Sequence, residues 1–236
     1  MNKIYFLFPV HNEEKRILNV KLFILWVLKN FKNNKNVFVF LLNNCSDNTE
    51  LLIKKRLEIY PIKIIKSNKK NRGYGLNKFF KQKKKGYFAV CSVDNAWSFN
   101  FYKKGYSLLK EKNYEIIYGP KSHPKSKVNT NFVRKVISNF SKVYIKLLFG
   151  NLIEQDTQCI KIFKSDVKFL SKLNNYNYFA ETEFYIMSKI FKNNITSVSV
   201  NVRNDNLNSK VNIRSIISYI MEGLDFRFRY FNKIKV

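Results

Sequence analysis

The chain has 236 residues, 45% of them hydrophobic and 16% aromatic, so it can bury a full core and fits one large domain better than two. Its 44 Lys and Arg residues against 16 Asp and Glu give a formal charge of +28, which points to an anionic partner: nucleic acid, a phosphorylated ligand or an acidic membrane surface. The three cysteines are widely separated and lack CxxC spacing, which argues against a disulfide framework or a zinc site and for a reducing cytoplasm.

No apolar run approaches the roughly 18 to 20 residues that span a bilayer, and the N-terminus lacks the pattern of a signal peptide. We therefore expect a cytoplasmic protein without a transmembrane segment, which lies on the surface of a membrane if a membrane is involved. No Gly/Ser-rich or Pro-rich linker marks a domain boundary, so residues 1–236 are predicted to form a single domain.

Short apolar runs alternate with helical patterns along the first half of the chain. The apolar runs predict strands over residues 4–8, 37–42, 62–65, 87–93 and 114–119. The segments between them predict helices over residues 14–28, 50–58, 71–80 and 101–112. Strands that alternate with helices at this pace predict an α/β fold with a parallel, doubly wound sheet.

Past Gly119 the alternation stops. A basic loop over 120–125 precedes a long helix predicted over 128–150, whose apolar side suits either a core helix or a helix that lies in a membrane interface. A short strand over 159–163, a helix from 179, a strand over 195–202 and a last helix over 213–230 complete the chain.

Polar residues stand where the predicted strands end. In a doubly wound sheet these ends meet at one rim, and ligands bind in the crevice beyond it. We therefore expect a site built from His11, Asn12, Glu13, Asn43, Ser92, Asp94 and Lys121.

An ordered series of motifs resembles the GT-A glycosyltransferases of family 2, and the similarity extends through nearly the whole chain. The residues over 8–17 resemble the opening signature of that family. The later matches, in chain order, are Asn71 to Gly75 with N-x-G-x-G, Gly119 to Lys121 with G-S-R, Asp156 to Cys159 with D-T-Q-C-G, Glu181 to Glu183 with D-V-E, and Ser209-Lys210 with the tail of the polyprenyl-phosphate branch.

The resemblance implies a GT-A, Rossmann-like fold with a mixed, mostly parallel sheet and helices on both faces. It divides the domain into a nucleotide-sugar-binding half over 1–119, an acceptor-side half over 120–211 and a C-terminal amphipathic helix over 212–236. It also implies an inverting hexosyltransferase that transfers the sugar of a UDP- or GDP-linked donor to a polyprenyl-phosphate acceptor. The enzyme is then expected to bind peripherally to the inner face of the cell membrane. The expected partners are the donor, the lipid phosphate and an acidic membrane surface, with a membrane protein as a further candidate and no nucleic acid.

The motifs also imply roles for individual residues. The residues expected to bind the nucleotide sugar are Pro9, His11, Asn12, Glu13, Asn43, Asp47, Arg72, Gly73, Ser92 and Asp94. Those expected to bind the acceptor or its phosphate are Lys121, Ser209 and Lys210. Asp156, Glu183 and Gln158 are the expected catalytic residues, with Glu181 as an exposed partner of Glu183.

Asp94 is the candidate metal ligand. A carboxylate beside a sugar-nucleotide diphosphate would repel it unless the carboxylate holds a divalent cation that bridges the phosphates. Hard oxygen ligands, with the substrate supplying the rest, suit Mg²⁺ or Mn²⁺. On this stretch alone, a turn formed by Asp94 and Asn95 is an open alternative.

Two departures from the family pattern concern donor binding. Leu42 and Asn43 stand where the family has the first two acids of D-D-G-S-x-D, and Ser92 stands at the first acid of D-x-D. Two further hypotheses therefore stay open: a glycosyltransferase whose acceptor is a sugar hydroxyl of a polysaccharide or lipopolysaccharide, and a catalytically degenerate scaffold that binds an anionic surface or partner.

Overall fold

The computed structural model describes residues 1–70, 72–129, 132–153, 156–174, 177–203 and 213–231, with all of their side chains except those of residues 72, 132–135, 151, 229 and 230. Within these residues a seven-stranded sheet runs in the order β3-β2-β1-β4-β7-β5-β8. Its strands are β1 (Lys3–Val10), β2 (Lys35–Asn43), β3 (Ile62–Ser67), β4 (Tyr87–Val90), β5 (Ile116–Gly119), β7 (Ile160–Lys164) and β8 (Ile195–Ser197).

All neighbouring strands of this sheet run parallel except β7, which is antiparallel to both β4 and β5. A second, two-stranded sheet pairs β6 (Lys127–Val128) with β9 (Asn201–Val202). The helices are α1 (Val20–Asn30), α2 (Thr49–Leu57), α3 (Arg72–Phe80), α4 (Asn100–Glu111), α5 (Phe132–Phe149), α6 (Ala180–Ile190) and α7 (Ile213–Asp225).

Each face of the sheet carries its own hydrophobic core. On one face Phe6 and Phe8 stack on Phe38 and Phe40, with ring centroids 5.5 Å and 5.2 Å apart, beneath α1, α2 and α4. On the other face the alternate residues of the same strands pack against α3, α5 and α6. Burial on both faces explains why these strands are continuous apolar runs. The predicted mixed, mostly parallel sheet with helices on both faces is confirmed.

Several element boundaries differ from the predicted ones. The strand predicted over 195–202 is two strands, because β5 ends at Gly119 and the chain beyond Ser197 turns to pair with β6 instead. The first helix begins only at Val20, since the backbone N–H groups of Arg16 and Ile17 both bond to the Glu13 carbonyl in a tight turn.

The long helix is shorter than predicted, and the last helix has the predicted bounds but changes its type near the end. The helix predicted over 128–150 occupies Phe132–Phe149, since Lys127 and Val128 belong to β6. The last helix is α-helical as far as Asp225 and continues as a wider π-helical turn over Phe226–Tyr230. No helix in the described part of the chain combines the length and apolar character that a membrane crossing needs.

Candidate active site

A cleft of about 620 Å³ opens beyond the carboxyl ends of β1, β2 and β4. Asparagines turn the backbone at these strand ends: Asn12, Asn44 and Asn95 have φ values of 50°, 49° and 51°. Asparagine adopts this left-handed conformation more readily than most residues. The three turns hold the polar segments at one rim. We call the part of the cleft lined by residues from 9 to 94, which are predicted to bind the sugar donor, the donor side, and the part lined by residues from 121 onwards, which are predicted to bind the acceptor, the acceptor side.

His11 and Asn43 line the donor side of the cleft together with Pro9 and Glu13. The Nδ1 atom of His11 lies 2.8 Å from the carbonyl oxygen of Asn43, which can only accept, so Nδ1 carries a proton. The Asn43 side chain is buried and donates from Nδ2 to the Leu41 carbonyl, while its Oδ1 has no hydrogen-bond donor among the described residues.

Gly75 of the N-x-G-x-G segment lies against Asn43. A Cβ at position 75 would be 2.8 Å from Asn43 Oδ1 and 2.9 Å from Leu41 Cβ, so only glycine lets α3 approach β2 this closely. The glycine of this motif therefore positions the buried amide at the floor of the donor side.

Ser92 and Asp94 follow β4 and line the same cleft. The Ser92 hydroxyl donates to Asp94 Oδ1 at 2.5 Å, and the backbone N–H of Ala96 donates to the same oxygen at 3.1 Å. Asp94 therefore does form a turn, but its carboxylate is exposed at the rim. The turn geometry and the proposed ligand role are compatible, because the turn uses Oδ1 alone.

Asn12 and Asp47 do not line the cleft; they join the loops after β1 and β2. Asn12 exchanges two hydrogen bonds with Ser46, and Asp47 accepts from the backbone N–H groups of Glu14 and Thr49. Burial raises the pKa of Asp47, but the hydrogen bonds from Thr49 and Glu14 outweigh it, so the pKa is lowered overall. Both residues shape the donor side from outside it.

Lys121, Asp156 and Gln158 line the acceptor side of the cleft. The ammonium group of Lys121 lies 5.1 Å from the centre of the Trp97 ring. The backbone N–H of Asp156 donates to Ser122, and Asp156 Oδ1 accepts from the backbone N–H of Gln158 at 3.0 Å. The Gln158 side chain donates to the Tyr178 carbonyl at 3.0 Å, which fixes the turn that presents Asp156.

The pKa of Asp156 is raised, because burial in the cleft disfavours the charged carboxylate. The charge of Lys121, the backbone N–H of Gln158 and the charge of Lys142 each pull the pKa back down. A carboxyl group with a raised pKa beside a cation is suited to accept a proton or to orient a nucleophile.

Helix α7 contributes to the cleft through residues that no motif singled out. Tyr219 lies in a chain of hydroxyl groups in which its oxygen is 3.0 Å from Thr182 Oγ1, and Thr182 is 2.9 Å from Thr157. Burial raises the pKa of Tyr219, and the negative charge of Asp156 raises it further. Ser141 of α5 donates to the same tyrosine oxygen at 3.3 Å. Ser141 and Tyr219 belong to no motif, so no sequence signal points to this chain of hydroxyl groups.

Glu183 does not line the cleft. It is buried and its Oε1 accepts a hydrogen bond from the backbone N–H of Asn174. Glu181, expected to be exposed, is buried and forms an ion pair with Lys161 of β7. The expectation for Glu181 was wrong because α6 is buried on all sides over Glu181–Ser188, so it has no exposed face.

The remaining predicted residues have no described side chain in the cleft. Gly73 is buried near the start of α3, and the side chain of Arg72 is outside the described part of the structure, as are Ser209 and Lys210. Their expected roles stay predictions.

The donor side fits a cation shared with a substrate. Among the described residues, no group of three or more His, Cys, Asp or Glu side chains could hold a metal by itself. Magnesium and manganese sites of substrate diphosphates need no such group, because one or two carboxylates with water and phosphate oxygens complete the coordination. The exposed Asp94 carboxylate with the adjacent Ser92 hydroxyl suits that arrangement.

Comparison with solved structures shows the same fold in glycosyltransferases. The chain is similar to glucosyl-3-phosphoglycerate synthase from Mycobacterium tuberculosis in complex with Mn²⁺, UDP and phosphoglyceric acid, at 13% identity and a TM-score of 0.68, over 96% of this chain and 78% of the other. It is also similar to that synthase with Mg²⁺ and UDP, at 13% identity and a TM-score of 0.66, over 96% and 79%. S. aureus TarS 1–349 has 14% identity and a TM-score of 0.57, over 96% and 72%.

The family of the chain follows from its sequence. No curated protein matches it. The model of Glycosyl transferase family 2 matches residues 5–169, which is more than half of the chain and includes both sides of the cleft as far as β7. The chain therefore belongs to glycosyl transferase family 2 and is a nucleotide-sugar glycosyltransferase with the GT-A fold.

Proposed function

We propose that the protein transfers a hexose, with inversion, from a UDP- or GDP-linked sugar to a polyprenyl-phosphate-type lipid at the inner membrane surface. The observation that carries the proposal is the division of the cleft. Its donor side is polar, whereas its acceptor side combines the cations Lys121 and Lys142 with an apolar wall from α5 and α7, which includes Ile137, Phe140, Ile145, Ile216 and Ile220. An acceptor that joins a phosphate to an apolar chain matches both features.

The donor side supports a nucleoside diphosphate. Asn43 and His11 line this side and carry groups that can form hydrogen bonds with the edge of a base. Asp94 would hold Mg²⁺ or Mn²⁺, and the cation would neutralise the leaving diphosphate. The synthase from Mycobacterium tuberculosis was crystallised with Mn²⁺ or Mg²⁺ and UDP, which supports the same choice here.

The acceptor side supports a nucleophile that needs little activation. A phosphate monoester is already ionised near neutral pH, so its oxygen can attack the anomeric carbon while the bond from that carbon to the diphosphate breaks. Lys121 would neutralise the incoming phosphate, and Asp156 would orient it rather than remove a proton. Positioning and charge neutralisation then provide most of the catalysis.

A sugar hydroxyl is the second candidate acceptor, favoured by the raised pKa of Asp156. In that reaction Asp156 acts as a base that removes the hydroxyl proton. We expect Asp156→Asn to lower kcat far more with a hydroxyl acceptor than with a phosphate acceptor, since only the former needs the base.

The test measures transfer of labelled sugar from UDP-glucose or GDP-mannose to polyprenyl phosphate in vesicles, with Mg²⁺ or Mn²⁺. We expect Asp94→Ala to lower the rate at least about 100-fold. The matched control is Asp166→Ala, which removes an exposed carboxylate near Tyr87, at the end of β4 that lies away from the cleft. No transfer to the lipid with any donor, or equal rates for both variants, would contradict the proposal.

A further inference from the structure

Two apolar stripes run along the outer surfaces of α5 and α7. Phe140, Val143 and Leu147 of α5 are each more than half exposed, and Leu147 reaches 80%. Ile217 and Met221 of α7 are likewise more than half exposed. We call these five residues the α5–α7 ridge. Contiguous exposed apolar side chains on a protein surface mark an interaction site.

The two stripes face the same way. The two helices meet at Tyr144, whose hydroxyl donates to the Ile220 carbonyl at 2.6 Å and lies 2.6 Å from where a Cβ on Gly223 would be. On α5 the stripe lies next to Tyr144 and faces away from the buried Ile145. On α7 the stripe lies next to Ile220. The stripes therefore flank the contact between the helices and form one outward surface.

Basic side chains border the ridge. Lys142 and Lys146 of α5 are exposed, as is Arg214 of α7. Helices with an apolar stripe and basic flanks lie in the interface of anionic bilayers, where each cation adds electrostatic attraction to the burial of apolar area. The net charge of +28 acts in the same direction.

The ridge is continuous with the cleft. Phe140 belongs to the ridge and also lines the cleft, and the next residues inward on the two helices, Ile137 and Ile216, form its apolar wall. Apolar side chains therefore lead from the ridge into the cleft.

We propose that the α5–α7 ridge docks on an anionic lipid bilayer and holds the mouth of the cleft against the headgroups. The inference rests on the proposed function, because it names the surface from which a lipid-linked acceptor reaches Lys121 and Asp156. Docking itself involves no part of the donor side.

The experiment compares binding of the full chain to vesicles of phosphatidylcholine alone and of phosphatidylcholine with phosphatidylglycerol, by flotation. The test variant carries Leu147→Glu and Met221→Glu, which place charge on the ridge outside the cleft. The matched control carries Leu22→Glu and Ile59→Glu, at residues that are also more than half exposed but lie on or beside α1 and α2. We expect the wild type and the control to bind anionic vesicles and the ridge variant to bind at least about tenfold more weakly.

A soluble assay separates docking from catalysis. With a short-chain, water-soluble isoprenyl phosphate as acceptor, we expect the ridge variant to keep the wild-type rate, whereas with acceptor in vesicles it loses activity. Equal vesicle binding by all three proteins would overturn the docking proposal, as would a wild-type dimer that the ridge substitutions convert to a monomer, which would assign the ridge to a second copy. Vesicle binding without transfer to either acceptor would leave docking standing and overturn the proposed function.

Discussion

The ionisation of Asp156 is governed by two opposed effects. Burial raises the pKa of its carboxyl group, and the charge of Lys121 lowers it. If transfer requires the carboxylate, the rate falls as the pH drops through this pKa, so the acid limb of the pH profile lies above that of an ordinary aspartate.

Lys121→Met is predicted to move that acid limb to still higher pH, because it removes the cation that lowers the pKa of Asp156. The measurement is the pH dependence of kcat/KM, whose shape separates this effect from the general loss of acceptor binding. Lys125→Met, an exposed cation on the same loop, should leave the limb in place. An unmoved limb in Lys121→Met would mean that the ionisation of Asp156 does not limit the reaction.

Ser92→Asp is predicted to make the Tm of the protein depend more strongly on added metal. The Ser92 hydroxyl now donates to Asp94, and a second carboxylate there would repel the first unless a cation lies between them. We expect a lower Tm without metal and a larger rise on adding Mn²⁺ and UDP than in the wild type. Ser92→Ala is the control, and an identical response from Asp and Ala would argue against a cation at Asp94.

At the scale of elements, a buried ion pair joins the sheet to α6. Lys161 of β7 pairs with Glu181, and its ammonium group lies 5.0 Å from the centre of the Phe184 ring. Such a pair is costly to break, because the remaining charge stays buried, but it can be replaced by apolar side chains at little cost.

Lys161→Met is therefore predicted to lower the free energy of unfolding by about 3–5 kcal/mol, and Lys161→Met with Glu181→Leu to recover most of that loss. Urea unfolding measures both. Lys54→Met breaks the surface pair with Glu50 and should cost at most about 1 kcal/mol. A double variant as unstable as the single one would show that the pair contributes more than charge compensation.

At the scale of the whole molecule, the charge of +28 opposes folding through self-repulsion. Salt at about 0.1 M screens charges more than about 10 Å apart, so the Tm should rise when NaCl is increased from about 0.01 M to that range. Scanning calorimetry measures the change, with sucrose of equal osmolality as an uncharged control. A Tm that falls with salt would mean that local ion pairs outweigh the net repulsion.

Much of the fold could be predicted from the sequence, because local patterns determine it. Strands such as β1 and β2 are buried on both faces and therefore appear as continuous apolar runs, and their order along the chain implies the parallel sheet. Boundaries that depend on a partner could not be predicted. The break between β8 and β9 depends on the lengths of their partner strands β5 and β6. Residues 195–202 carry no information about those lengths.

The sequence by itself determined the rim at the ends of β1, β2 and β4, because strand ends and turn-forming asparagines are local features, and it placed Asp94 and Asp156 among the candidates. Only the tertiary structure decided that Glu181 is buried as well as Glu183, since a helix buried on all sides has no amphipathic pattern to read. It also brought Tyr219 beside Asp156 and set the stripes of α5 and α7 side by side, because those contacts join residues far apart in the chain whose approach depends on packing.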